Sequence, residues 1–267
     1  MRTVSRDPWS AISSEMKRVL VVAGRDSSGG AGVDADLDAG RLCGASLRVV
    51  VTAETVQGAR GLVDLGARSP EDWKAEAMAQ IKSGVSAIKF GLLPGVDHIE
   101  AAAELISNAR ALQPDLAVVV DPVIAPTHGG RFLDEAGLLA LKEVLLATGC
   151  VLTPNLDEAA ELTGRRIEEL NRDLGARIKA AEELLERGAR GVVLKGGHAE
   201  GALMDLVCEE GSEPRWLPFE RVLGELRGTG CRHATLLAWG LGGGESLFDA
   251  ASEAGAQVGS LMRSRRG

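Results

Sequence analysis

Several things are scarce in this sequence, and each absence removes a class of function. Basic residues are not in excess: 30 lysines and arginines stand against 38 acidic residues, a formal net charge of −8. The chain therefore carries no general footprint for nucleic acid. No apolar run approaches the length that a bilayer requires, and residues 1–16 lack the apolar stretch of a signal peptide. A cytoplasmic location without membrane contact is the expectation. Cysteine is sparse: Cys43, Cys150, Cys208 and Cys231 lie far apart and form no C-x-x-C pair. That spacing argues against zinc and against a disulfide framework, and predicts reduced thiols. Neither a Walker A pattern nor a G-x-G-x-x-G following a strand occurs, so two common phosphate-binding fingerprints are missing.

What is present suits a globular protein. The 267 residues are 45% apolar and 25% charged, enough to bury a full core and ordinary in composition. Residues 1–17 mix proline, serine and charge without period and read as a loose N-terminal extension, so residues 18–267 are expected to form a single domain. Residues 19–23, Val-Leu-Val-Val-Ala, have the continuous β-branched character of a parallel strand buried on both faces. A glycine loop, Gly24 to Gly32, follows and leads into a helix reaching about Cys43. Strands are then expected at 49–57, 87–90, 117–120, 151–152 and 192–194. Helices alternate with them, beginning near Pro70 and covering about 99–112, 135–146, 156–162 and 174–186. Residues 202–218 read as a hairpin or edge pair, and two helices, about 229–240 and 246–262, close the chain. This alternation predicts α/β architecture with a mostly parallel sheet. Ligands in such sheets sit beyond the carboxyl ends of the strands, where Asp26, Gln57, Lys89, Asp121, Asn155, Lys195 and His198 gather.

Gly228-Thr229-Gly230-Cys231 at the mouth of a helix is the stretch around which the rest is arranged. Its glycines permit a tight turn whose amide N–H groups converge on an anion. Cys231 falls in the first helical turn, where the helix dipole favours thiolate. These four residues alone fit equally well a plain glycine turn into a core helix. Asp34, Asp36 and Asp38 alternate like the start of a calcium loop, but Ala39 and Ala45 occupy the positions that need Gly and Glu. A solvated helix face is the preferred reading there.

Five motifs occur in one order: Gly24-x-Asp26-x-Ser28-Gly29-Gly30-Ala31-Gly32, Asp121-Pro122-Val123, Thr153-Pro154-Asn155-Leu156-x-Glu158-Ala159, Lys195-Gly196-Gly197-His198 and Gly228-Thr229-Gly230-Cys231. Together they resemble the hydroxymethylpyrimidine and phosphomethylpyrimidine kinases of thiamine synthesis, over about Arg18 to Met262. The resemblance implies a ribokinase-like three-layer sandwich with helices on both faces of the sheet. It also implies ATP and Mg2+ as cofactors, a small pyrimidine as substrate, and a homodimer.

Residue by residue, it places Gly24, Asp26, Gly29, Gly30, Ala31, Gln57 and Val123 around the pyrimidine. The Gln57 carboxamide complements an aminopyrimidine edge. Asn155, Lys195 and His198 fall to the nucleotide, and Asp121 and Glu158 to the metal. Gly228, Thr229, Gly230 and Cys231 hold the phosphoryl group in flight, with Asp121 beside it and Cys231 accepting the hydroxyl proton. A bland reading of Asn155 and Glu158 stands beside this one, as a helix N-cap and its capping-box partner. Gly196-Gly197 reads equally as a strand-ending turn.

The sequence departs from the family's pattern at three places. Ile124-Ala125-Pro126-Thr127-His128-Gly129-Gly130 lacks the usual loop lysine, keeping only Thr127 as a hydroxyl. Leu226-Arg227 and Arg232-His233 flank Gly-Thr-Gly-Cys where smaller residues are usual, so those side chains either replace missing cations or crowd the corner. Glu54 stands where an apolar residue is commoner. These changes leave the second phosphorylation, of the monophosphate, open. They also keep two alternatives: a pyridoxal-type kinase, and a kinase fold that binds a pyrimidine or nucleotide without efficient transfer.

Overall fold

Residue 19 onward becomes the centre of a sheet because its side chains are apolar on both faces, and helices cover both. The computed structural model describes residues 18–58, 61–126, 129–197, 199, 203–220, 222 and 226–265. The expectation for residues 1–17 lies outside these. In chain order the elements are β1 (Arg18–Asp26), α1 (Val33–Cys43), β2 (Ser46–Gly58), β3 (Gly61–Ala67), α2 (Pro70–Lys82), β4 (Ala87–Phe90) and α3 (Val96–Leu112). They continue with β5 (Ala117–Val120), α4 (Glu135–Ala140), β6 (Val151–Leu152), α5 (Leu156–Thr163), α6 (Ile167–Arg172) and α7 (Leu174–Glu186). The last are β7 (Gly191–Leu194), β8 (Met204–Glu209), β9 (Arg215–Pro218), α8 (Thr229–Gly242) and α9 (Leu247–Ser264).

The strands form one sheet in the order β3-β2-β1-β4-β5-β6-β7-β8-β9. Its centre, β2 to β7, is parallel, and the edges add antiparallel pairs, β3 on β2 at one side and β8 on β7 with β9 on β8 at the other. Alternate residues face opposite layers. Leu20, Val22, Ile88, Phe90, Val118 and Val120 pack with Trp73 of α2, Ile99 of α3 and Ala180 of α7. Val19, Ala87, Val119, Val151 and Val193 pack with Ala39 of α1, Leu237 of α8 and Ala250 of α9. This is the expected three-layer α/β sandwich.

After β1 the chain lays β2 on one side and then crosses to place β4 on the other. That reversal opens a crevice beyond the carboxyl ends of β1 and β4. Among the described residues no helix is long and apolar enough to cross a membrane.

Four features differ from the expectation. β1 runs past Ala23 to Asp26, because after an irregularity its pairing resumes as Arg25 with Glu54 and Asp26 with Thr55. Strand β3 was not anticipated; glycines at 61 and 66 break its apolar pattern, and its pairing with β2 holds it. Helix α6 is six residues long, too short to show a period. Asp34, Asp36 and Asp38 are not a solvated face: Asp36 is wholly buried, and Asp38 pairs with Arg232 at 2.8 Å and Arg41 at 2.8 Å. Residues two apart on a helix point in different directions, so the three carboxylates share no face.

Candidate active site

Three backbone corners meet at the crevice. The first follows β1. Asp26 accepts hydrogen bonds from Ser28 N at 3.1 Å and Ser28 Oγ at 2.7 Å, and Gly29 N donates to Asp26 O at 2.9 Å. These bonds curl Asp26 to Gly29 into a tight turn followed by Gly30 and Ala31. Gly24 lies behind, against Leu92, where a Cβ would come within 2.7 Å of Leu92 Cδ2. Gln57 stands on β2 beside this wall, paired with Leu62 of β3.

The second corner is the start of α8. Gly228 is its N-cap with φ of 72°, and no side chain caps the first turn. A side chain at Gly228 would also meet Gly30 O at 2.7 Å and Ala35 Cβ at 2.8 Å, so only glycine lets this turn lie on the first. The N–H groups at the start of α8 are thereby available to an anion.

The third corner is built from β5, β6 and β7. Asp121, buried after β5, accepts from Lys195 Nζ at 2.9 Å and from Thr153 Oγ1 at 3.2 Å, both at Oδ1. Burial alone would raise its pKa, but Lys195 and Lys89 hold the carboxyl below the usual range. Lys195 is held protonated against its own burial by Asp121 and Glu158. Asn155 and Glu158 form the capping box of α5, with Asn155 N donating to Glu158 Oε2 and Glu158 N to Asn155 Oδ1, each at 2.8 Å. Val123 donates its N–H to Asp121 O at 2.8 Å, a tight turn directly after β5. Gly196 ends the strand where β8 approaches closely, so that a Cβ there would clash with Met204 O, and Ala199 N donates to Gly196 O at 3.1 Å.

The second and third corners touch. A Cβ on Gly230 would come within 3.0 Å of Lys195 Nζ and 3.8 Å of Asp121 Oδ2. The start of α8 thus faces the cation and the carboxylate that the motifs assign to phosphate and metal. His198 and Thr127 lie outside the described residues.

The carboxylates suit magnesium. Burial and the charge of Asp121 push Glu158 up to about 8, against the pull of Lys195. Asp121 Oδ2 and Glu158 Oε1 accept no hydrogen bond among the described residues. Two acids that repel one another, each with an oxygen to spare, fit a divalent ion completed by water and substrate phosphates. Among the described residues no three acidic, histidine or cysteine side chains are placed to hold a metal by themselves.

Two expectations are corrected. Cys231 is not a resting thiolate: burial, with Asp36 and Asp121 nearby, pushes its thiol up to about 11, and Lys89 offsets this only in part. The helix dipole does not outweigh enclosure beside two acids. Nor do all the unusual cations enter the phosphate corner. Arg232 is buried and turned to Asp38, and His233 is buried with neither ring nitrogen in a well-formed hydrogen bond. Of these side chains Arg227 alone reaches the first corner. Its guanidinium bonds Asp26 Oδ2 at 2.8 Å, Gln57 Oε1 at 2.6 Å and Ser28 Oγ at 2.7 Å.

Beneath Cys231, Lys89 does not join the rim as expected but is wholly buried. Lys89 and Asp36 pair at 2.9 Å, and Thr235 Oγ1 donates to Asp36 at 2.7 Å. A lysine inside the otherwise apolar strand Ala-Ile-Lys-Phe was the available signal.

A family model described as phosphomethylpyrimidine kinase matches residues 26–266. The hydroxymethylpyrimidine/phosphomethylpyrimidine kinase of Streptomyces coelicolor is 38% identical over 86% of this chain and 82% of its own. Among solved structures, the phosphomethylpyrimidine kinase of Clostridium difficile superposes with a TM-score of 0.77 at 24% identity, over 92% of this chain and 99% of that one. The pyridoxal kinase of Staphylococcus aureus in complex with AMP-PCP gives a TM-score of 0.80 at 28% identity, over 92% and 88%. With a family model spanning nearly the whole chain and motifs that converge on one crevice, the chain belongs to the phosphomethylpyrimidine kinase family, and it is a phosphotransferase.

Proposed function

We propose that the chain transfers the γ-phosphoryl group of ATP to the hydroxymethyl oxygen of 4-amino-5-hydroxymethyl-2-methylpyrimidine, and then to the phosphate so formed. The observation that carries this reading is the approach of Gly230 to Lys195 and Asp121, which puts an uncapped helix start opposite a partly buried cation. Phosphoryl transfer passes through a loose transition state and depends on positioning and charge stabilisation more than on covalent help. The N–H groups of Gly228 to Cys231 and the Lys195 ammonium supply that stabilisation in a partly enclosed site.

Asp26 and Gln57 grip the pyrimidine, with Gly24, Gly29, Gly30, Ala31 and Val123 shaping the wall. Asn155, Lys195 and His198 are assigned to the nucleotide. Asp121 and Glu158 would hold magnesium, which when bound offsets phosphate charge. Cys231 takes the proton from the acceptor hydroxyl as transfer proceeds. With its thiol near 11, this contributes less than the surrounding N–H donors. The family resemblance extends the reading to a single domain, a homodimer and a cytoplasmic location; light scattering on the purified protein tests the dimer.

The test of function is product mass after incubation with MgATP and, separately, hydroxymethylpyrimidine, its monophosphate and pyridoxal. Conversion of the first two is expected. Turnover of pyridoxal in preference to both would replace the pyrimidine reading, and no conversion by folded protein that binds one of them would make it a binder.

A further inference from the structure

Arg227 immediately precedes Gly228, so its backbone sits at the lip of the anion-binding turn while its guanidinium points away from it. The arm lies over Gly30, where a Cβ would meet Arg227 Cβ at 3.4 Å. The guanidinium ends on Asp26, Ser28 and Gln57. Its N–H groups fill the acceptors that an aminopyrimidine would use, so ring and guanidinium compete for one pair of residues. The backbone is fixed: buried Arg232 donates to Arg227 O at 2.6 Å and is itself braced by Asp38 at 2.8 Å. The side chain is 40% exposed, which leaves it free to swing about a fixed base.

We propose that Arg227 is a specificity-determining residue that favours a phosphorylated pyrimidine over the free alcohol. The ring takes over Asp26 and Gln57, and the released guanidinium turns to the phosphate that the substrate already carries. Displacing the guanidinium disfavours alcohol and phosphate alike. Only the phosphate offsets that loss, through charge-assisted and potentially two-pronged hydrogen bonds suited to arginine. The loop from Ile124 to Gly130 carries no lysine to do this instead. The inference rests on the reading of Asp26 and Gln57 as the pyrimidine grip.

Calorimetric titration of the full chain with hydroxymethylpyrimidine and with its monophosphate tests it, using wild type, Arg227→Met and Arg227→Lys, with melting curves to show folding. In Arg227→Met the alcohol is expected to bind as tightly as in wild type or more so. The ratio of monophosphate Kd to alcohol Kd should rise by about tenfold or more, the scale of one lost charge-assisted bond. Arg227→Lys should keep part of the wild-type ratio and serves alone if the Met variant does not fold. An unchanged ratio in the variants, whether both ligands shift together or neither does, overturns the proposal while leaving the pyrimidine grip intact. Wild type that binds neither ligand overturns the grip and this inference with it.

Discussion

Lys89 of β4 and Asp36 of α1 meet at 2.9 Å with both side chains wholly enclosed. Asp36 also accepts from Thr235 of α8, so the pair ties the helix after the first glycine corner to the helix that carries Cys231. Burial works against the charge on Lys89, but Asp36 and its other negative neighbours, Asp121 among them, together outweigh it and keep the lysine protonated. Removing one partner of a buried pair leaves an uncompensated charge and costs about 3–5 kcal/mol. Urea unfolding of Lys89→Met should show a loss of that order, and adding Asp36→Leu should recover much of it. Equal destabilisation of the single and double variants would mean that packing, not charge, sets the effect.

Gly230→Ala places a methyl group 3.0 Å from Lys195 Nζ. The end of a lysine moves easily, so the melting temperature should change little. The ammonium is nevertheless displaced from the path of the phosphoryl group. Loss of one such donor lowers turnover by roughly 10² or more. Steady-state kinetics should therefore show a fall in kcat larger than any rise in the KM for ATP.

Cys231→Ala is expected to lower kcat by roughly 10², the low end of general-base contributions. The wild-type thiol lies near 11, so the thiolate fraction grows with pH throughout the neutral and mildly alkaline range. Wild-type kcat should rise with pH between 7 and 9 by a factor that the alanine variant lacks. Matching profiles and near-wild-type turnover in the variant would remove Cys231 from proton transfer.

His233 is enclosed at the start of α8, and burial lowers its pKa to about 4. The unfolded chain binds a proton there near 6.5, while the folded chain does not until about 4. Between those values the unfolded state holds more protons, so stability rises with pH and is fully present above 6.5. The difference amounts to about 3 kcal/mol. Denaturant midpoints at pH 4.5 and 7.5 should diverge more for wild type than for His233→Leu, and parallel shifts would show that other groups govern the acid limb.

The sheet was legible because its central strands are short, continuous and apolar, which is what burial on both faces demands. Its edges were not. β3 survives on backbone pairing with β2, despite glycines that erase its pattern, and nothing local separates it from a loop. At the site, motif order located Asp121, Asn155, Glu158, Lys195 and the start of α8, because each ends a strand or opens a helix. What the sequence withheld were states set by distant neighbours. Cys231 sits in the first turn of a helix, yet burial, with carboxylates from α1 and from the end of β5, raises its thiol. Arg227 and Gln57 are 170 positions apart, and only folding brings them to 2.6 Å. Asn155 and Glu158 form the capping box that one reading of their spacing predicts, and this leaves Glu158 Oε1 without a hydrogen bond among the described residues, as the metal reading requires.

Gln57 lies two residues beyond Thr55, the last residue of β2 in register with β1, on a two-stranded ribbon shared with β3. The groups proposed to move phosphate stand elsewhere, on the start of α8 and the ends of β5 and β7. On the proposed reading, the part of ring recognition that falls to Gln57 therefore sits on this ribbon, apart from the backbone that carries the transfer groups. Substitutions along the ribbon can retune which heterocycle is held while the transfer apparatus drifts hardly at all. On this account one scaffold can pass between related ring substrates through changes at its margin.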